Sequence, residues 1–187
     1  MGPGLRMQKV QYFLLAFGLL FLAAPALCQS TTADGIAMYR ASRYDEAATT
    51  LRSITSVDKK DRFAWVYLGA SLIKAGHARD AVTAFRKGRA KVEELVPGDD
   101  APVTNFSKPR PRYTEMGRQN LTSGIVRLAV ELTDDGKIGS IWPVDTLPDG
   151  LTEQSIAAAR SITFTPAQKN GKPVTTVAIV EYTFDVR

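Results

Sequence analysis

The sequence predicts an α+β chain, helical in its first half and strand-rich in its second. Three observations carry that expectation. Gly35, Ala47 and Leu51 recur, at one constant offset, as Gly69, Ala81 and Phe85. Residues 124–133 alternate, with Val126, Leu128, Val130 and Leu132 on one face and Arg127, Glu131 and Thr133 on the other, the period of a half-buried strand. Between these regions Pro97, Pro102, Pro109 and Pro111 cluster, where proline blocks helix continuation and favours an extended chain. The expected organisation is a leader over 1–28, helical repeats over 30–96, a Pro-rich linker over 97–112 and a second domain over 113–187.

The leader comes first. Arg6 and Lys9 precede an apolar run from Tyr12 to Ala24, and Pro25-Ala26-Leu27-Cys28-Gln29 follows. A basic start, a short apolar core and small residues before a cut at Gln29 describe a secretory signal peptide. The core, Tyr12 to Ala24, is short of the roughly 18–20 residues that span a bilayer. An uncleaved anchor is the alternative, and acylation of Cys28 a third reading, disfavoured by the bulky Leu27. All three export the body of the protein, to the periplasm or anchored at the inner membrane and facing it. Membrane contact is expected only if this segment is retained.

Composition restricts the chemistry. The only cysteine is Cys28 and the only histidine is His77. Without Cys28 the chain forms no disulfide and has no thiolate nucleophile or ligand, and one histidine makes no His-rich metal site. The sequence holds no phosphate-binding Gly-rich loop and no nucleophile elbow. Asp134, Asp135, Asp145 and Asp149 are the densest carboxylates, and they are expected in turns, where Asp is favoured for backbone reasons. The expectation is a non-enzyme with no cofactor and no metal. Net charge is +5, and +3 once residues 1–28, with two cations and no acid, are removed. That mild balance does not argue for nucleic-acid binding.

The first half has few prolines and reads as helices. A repeat period of about 34 residues with helix–turn–helix content marks the tetratricopeptide repeat. The second copy reads Trp65-x-x-Leu68-Gly69, Leu72, then Ala81-x-x-x-Phe85-x-x-Gly88; the first reads Gly35-x-x-Met38-Tyr39, Tyr44-x-x-Ala47-x-x-x-Leu51. Across 30–96 the chain resembles that family. The expected packing residues are Gly35, Ala47, Leu51, Trp65, Leu68, Gly69, Ala81 and Phe85. Small residues let helices approach and large ones fill the gaps. Ala75-Gly76 marks a turn, Phe63, Trp65 and Tyr67 are expected in the core, and His77 in a solvated turn. The resemblance implies a protein-binding scaffold. Two repeats are fewer than the three a solenoid usually needs, so packing on a neighbour or dimerisation is expected.

In the second half, the strand at 124–133 runs into Asp134-Asp135-Gly136, a hairpin signal, and residues 137–144 return. Thr152 is placed as the cap of a helix over 153–161. Thr163 to Ala167 leaves that helix, Asn170-Gly171-Lys172-Pro173 turns the chain, and 174–186 is a long last strand with Ala178, Val180, Tyr182 and Phe184 on one face. This array resembles the TonB C-terminal domain family over about residues 103–187. The matching pieces are Pro111-Arg112-Tyr113, Gly124-x-Val126, Asp135-Gly136-Lys137, Gly150-Leu151, Ala157 with Ile162, and above all Phe164-x-Pro166-Ala167 with Asn170-Gly171-Lys172-Pro173-Val174. Ile162 stands where the family often has Trp, and Thr152 where it often has Asp.

The resemblance implies a three-stranded antiparallel sheet with one or two helices. It also implies capture of an extended peptide, from an outer-membrane receptor or another envelope protein, by the exposed last strand. In such β-augmentation main-chain hydrogen bonds supply the affinity. The expected edge residues are Thr175, Val177, Ile179, Glu181 and Thr183. A homodimer through the same edge is the competing reading. Two functions follow: a non-catalytic envelope adaptor joining a scaffold to a strand-capturing domain, or a shortened energy transducer for receptor-dependent transport. The second is weakened by the short linker over 97–112, ~50 Å at full extension.

Overall fold

The computed structural model describes residues 30–185. The leader at 1–28, with Cys28, lies outside the described residues. Among the described residues no helix is long and apolar enough to cross a membrane.

Four helices come first: α1 (Thr32–Arg40), α2 (Tyr44–Val57), α3 (Arg62–Lys74) and α4 (Ala78–Lys87). Local chemistry sets their ends. Thr31 and Asp34 form a reciprocal capping box at α1, and the Asp61 carboxylate accepts from the Ala64 amide at the start of α3. Such caps satisfy amides that the first helical turn leaves unpaired. Gly76 turns the α3–α4 hairpin at φ +87°, and exposed His77 begins α4 without a side-chain cap. The recurring glycines each face a large residue of the next helix. A Cβ at Gly35 would lie 2.5 Å from Leu51, and one at Gly69 would lie 2.7 Å from the Phe85 ring. Ala47, Leu51, Ala81 and Phe85 are buried, Tyr67 and Leu68 with them, while Phe63 and Trp65 are partly buried against the same core. The helices are compatible with two repeats.

The sheet follows. β2 (Gly124–Leu132) lies between β3 (Ile138–Asp145) and β7 (Thr176–Phe184), antiparallel to both. Two small ribbons accompany it, β1 (Thr104–Ser107) with β4 (Thr163–Thr165), and β5 (Ala167–Lys169) with β6 (Lys172–Val174). Two helices, α5 (Glu115–Gln119) and α6 (Leu151–Ala159), complete the set. Within 97–112, expected as an extended linker, Thr104–Ser107 is strand β1 and Val103 is buried.

Both faces of the sheet are covered. Val126, Leu128, Val130 and Leu132 pack with Ala178, Val180, Tyr182 and Phe184, beneath Leu151 and Ala159 of α6. On the opposite face Ala129, Val144, Val177 and Ile179 share a core with Ile36, Leu51, Tyr67 and Phe85 of the helices. Trp142 of β3 stacks on Phe85 with centroids 6.0 Å apart. The half-buried strand expected at 124–133 is therefore corrected: from Leu128 to Leu132 β2 is buried on both sides, because the helices lie over the face read as solvated. A second correction concerns Thr152. It sits inside α6, which starts after Gly150 at φ +76°. Its hydroxyl accepts from the Leu147 amide and donates to the Leu147 carbonyl, pinning the loop before the helix. Asp145, expected in a turn, ends β3.

Glu131 is the polar centre of the helix–sheet contact. It is 9 % exposed. The Tyr39 hydroxyl donates to it at 2.6 Å, Lys74 at 3.1 Å and the Ser140 amide at 3.2 Å. Burial pushes its pKa up, but the bonds from Tyr39, Ser140 and Lys74 outweigh this and the net shift is downward. Burial first, and then this carboxylate, raise the Tyr39 phenol far above its usual range.

Two outcomes are expected in urea unfolding. Gly69→Ala forces a methyl against a buried ring and should cost ~1–3 kcal/mol, whereas Gly76→Ala meets open space and should cost ~1–2 kcal/mol through its left-handed backbone alone. Glu131→Gln should cost ~1–3 kcal/mol near neutral pH. A depressed folded-state pKa gives stability that is present above the unfolded value near 4.5 and lost as pH falls through the folded value. The gap between wild type and Glu131→Gln should therefore narrow on acidification below that range.

Candidate functional site

The sheet has two edges. β3 is blunted: Pro143 has no amide hydrogen, the β2–β3 register shifts twice, and Arg86 binds the Val144 carbonyl. Prolines and bulges on an edge discourage further pairing. β7 is the other edge; Val177, Ile179, Glu181 and Thr183 of the expected residues lie along it, and Thr175 just precedes it.

In an antiparallel strand the backbone polar groups of alternate residues point to the same side. On β7 the outward set is Val177, Ile179, Glu181 and Thr183, continued backwards by Thr175. The contacts agree. Arg40 Nε donates to the Thr175 carbonyl at 2.8 Å. The Val177 amide donates to the Tyr67 hydroxyl and the Ile179 amide to the Ala90 carbonyl, both at 3.4 Å. Lys108 Nζ donates to the Glu181 carbonyl. Thr183 has no such partner among the described residues. The edge read as exposed is thus open only towards its C-terminal end, and Val177 and Ile179 are buried beneath the helices.

The groups that close the edge are themselves anchored. Arg40 clasps Asp99 with both terminal nitrogens, at 2.6 and 2.8 Å, and the Asp99 side chain is fully buried. Burial opposes the Arg40 charge, but the bond to Asp99 prevails and its pKa is raised. The Glu181 side chain meets Arg127 at 2.5 Å, Arg127 meets Asp145 at 2.9 Å, and Asp145 meets Arg86 of α4 at 2.9 Å. This ladder crosses all three strands on the helix side.

Beside the open end lies a groove of about 350 Å³, walled by Ala90, Lys91 and Val92 on one side and Phe106 and Lys108 on the other, with Ile179 to Glu181 at its base. Lys108 also lies 4.9 Å over the Tyr182 ring.

The family turn residues fall elsewhere. Phe164 is in β4, Ala167 starts β5, and Asn170 and Gly171, at φ +52° and +70°, turn into Lys172 and Pro173 of β6. Pro166 lies between β4 and β5. This hairpin holds the chain at 100–101: the Asp100 and Ala101 amides bond the Gln168 carbonyl, and the Asn170 amide bonds the Asp100 carboxylate. It supports the site rather than lining it. Sequence reasoning missed Arg40, Ala90 and Lys108, since each meets β7 across a separation that no local pattern records. Among the described residues no three His, Cys, Asp or Glu side chains gather as a metal site.

Arg40→Ala strands a buried carboxylate and should destabilise the chain by ~3–5 kcal/mol. Replacing the pair together, Arg40→Met with Asp99→Leu, should recover more than half of that loss in urea unfolding.

Comparison with known proteins bears on this half of the chain. Residues 109–186 match the family model of the Gram-negative bacterial TonB protein C-terminal. The solution NMR structure of Pseudomonas aeruginosa TonB CTD is similar at 23 % identity and TM-score 0.36, over 44 % of this chain and 88 % of that one. No curated protein matches the chain.

Proposed function

We propose, from the TonB C-terminal match at residues 109–186, that this chain is a non-catalytic interaction protein of the cell envelope. It takes an extended peptide of an outer-membrane receptor, or of another envelope protein, alongside β7. Residues 30–96 act as a tetratricopeptide-like scaffold packed on that domain, with 97–112 joining the two. The leader directs the chain to the periplasm.

The observation that supports strand capture is the state of the β7 edge. The Ala90 carbonyl reaches the Ile179 amide at only 3.4 Å, beyond the 2.7–3.2 Å of well-formed N–H···O bonds. An incoming strand replaces this weak bond with better ones, and the outward groups of Glu181 and Thr183 extend its pairing. Ala90 to Val92 then stand where the peptide enters. Lys108, held on the Glu181 carbonyl, is displaced in the same step. The ladder through Arg127 keeps β7 fixed while its outer side changes partner.

The test uses a photo-reactive side chain at Lys91, which lines the groove, in living cells. The expected product is a crosslink to one extended segment of an envelope partner. Thr183→Pro removes an outward amide and leaves the β2 ladder intact, so crosslinking should fall ~10-fold for the loss of roughly one hydrogen bond to an incoming backbone. An undiminished crosslink in the folded Thr183→Pro protein rules out strand addition.

A further inference from the structure

A second concavity lies on the helical half, away from the β7 edge. α2 and α4 flank α3, and between them runs a cleft of about 650 Å³. Its apolar lining includes Trp65, Leu68 and Leu72, and its cationic lining is Arg52, Lys59 and Lys87. Asp80 is the single carboxylate lining it. The volume is that of a ligand pocket, which is mostly apolar with a few placed polar groups.

Three features give the cleft a preference. Among the described residues, no carboxylate forms an ion pair with Arg52, Lys59 or Lys87, while other cations on the helices do find acids, as Arg62 does with Glu94. The Trp65 indole nitrogen already donates to the Lys59 carbonyl at 3.0 Å, so the ring has its face left to offer. Lys87 covers that face, its ammonium 4.2 Å from the centroid. An exposed cation–π contact is weak, so an apolar side chain placed over Trp65 would displace the Lys87 ammonium from the ring at little cost and leave it as a cation free to pair.

We infer that this cleft binds an acidic peptide segment of a partner protein, with one large apolar side chain on Trp65 and flanking carboxylates on Arg52, Lys59 and Lys87. Charge complementarity selects the occupant. The chain's own segment 1–29 does not fit: it holds Arg6 and Lys9 and no acid. The apolar lining and the Trp65 ring favour an inserted side chain over a flat anionic surface. The inference does not rest on strand capture, because the cleft shares no residue with the β7 edge.

The experiment uses the chain purified as the cell processes it. The probe is a short fluorescein-labelled peptide of glutamates around one leucine–phenylalanine pair; its glutamine counterpart is the control. The glutamate peptide is expected to bind at least ~10-fold more tightly at low salt, as two or three partly desolvated ion pairs allow. Binding should shift the indole N–H resonance of Trp65, assigned with Trp65→Phe. Arg52→Glu and Lys87→Glu should each weaken binding ~10-fold, and Arg160→Glu, a charge change of equal size at the exposed residue that follows α6, should not. Equal affinity for the two peptides overturns the inference, as does an equal loss in Arg160→Glu or no binding. Two results would reassign the cleft and so also overturn it. One is co-sedimentation with anionic phospholipid vesicles that Lys87→Glu abolishes while the peptide fails to compete. The other is a dimer that dissociates in Lys87→Glu. Loss of Lys91 crosslinking in Thr183→Pro is a separate readout and moves independently.

Discussion

A carboxylate near the C-terminal end of β2 sets the terms for the molecule. Glu131 faces the side of the sheet that the helices cover, so its charge must be met there. Tyr39 comes from α1, Lys74 from α3 and the Ser140 amide from β3. Removing the helices would leave this group against Val177, Ile179 and Ala129 with an apolar face exposed to water. Burying an ionised carboxylate is costly unless it is paired and hydrogen-bonded. The requirement fixes the helices in register on the sheet, and apolar packing around Tyr67, Phe85 and Trp142 supplies most of the energy. The ladder from Glu181 through Arg127 and Asp145 to Arg86 repeats the arrangement at the other end of the same face.

Much of this was legible. The constant offset between the repeats singled out Gly35, Leu51, Gly69 and Phe85 as packing residues, but that Gly35 faces Leu51 and Gly69 faces Phe85 is seen only in the fold. The alternation in 124–133, the turn at Asp134 to Gly136 and the hairpin at Asn170-Gly171 were read from period and backbone preference. The face assignment of Glu131 was missed. Charge in a strand reads as solvent exposure, and only a tertiary partner reverses that. The edge of β7 was similarly misjudged in extent. Nothing after it in sequence covers it, but Arg40, Tyr67, Ala90 and Lys108 return to it from upstream. Thr152 misled for a local reason: a threonine before an apolar run is a good cap, yet Gly150 in a left-handed conformation had already started the helix.

The candidate site shows the same division. The residues named from the sequence lie on the outward side of β7, as alternation requires. What decides whether that side is open is the geometry of the chain around Ala90, and this follows from where α4 ends. Gly88 ends that helix against the backbone of Arg62 and Val66, where a Cβ would lie 2.5 Å from the Val66 nitrogen. The close approach steers the next residues onto β7.

The wiring also has a kinetic side. Tyr39 and Glu131 are 92 residues apart, and Arg40 and Thr175 are 135 apart. Ribosomal synthesis delivers the first of each pair long before the second. Until β2 and the 175–184 segment are made, Tyr39 lacks Glu131, Arg40 Nε lacks the Thr175 carbonyl and Tyr67 lacks the Val177 amide. Contacts of such long range slow folding, since loop-closure entropy is lost before they form. Helical hairpins, by contrast, form locally and fast. The N-terminal half therefore passes through an interval as a preformed helical layer with one apolar side uncovered, the kind of species that chaperones shield and that aggregates when they do not.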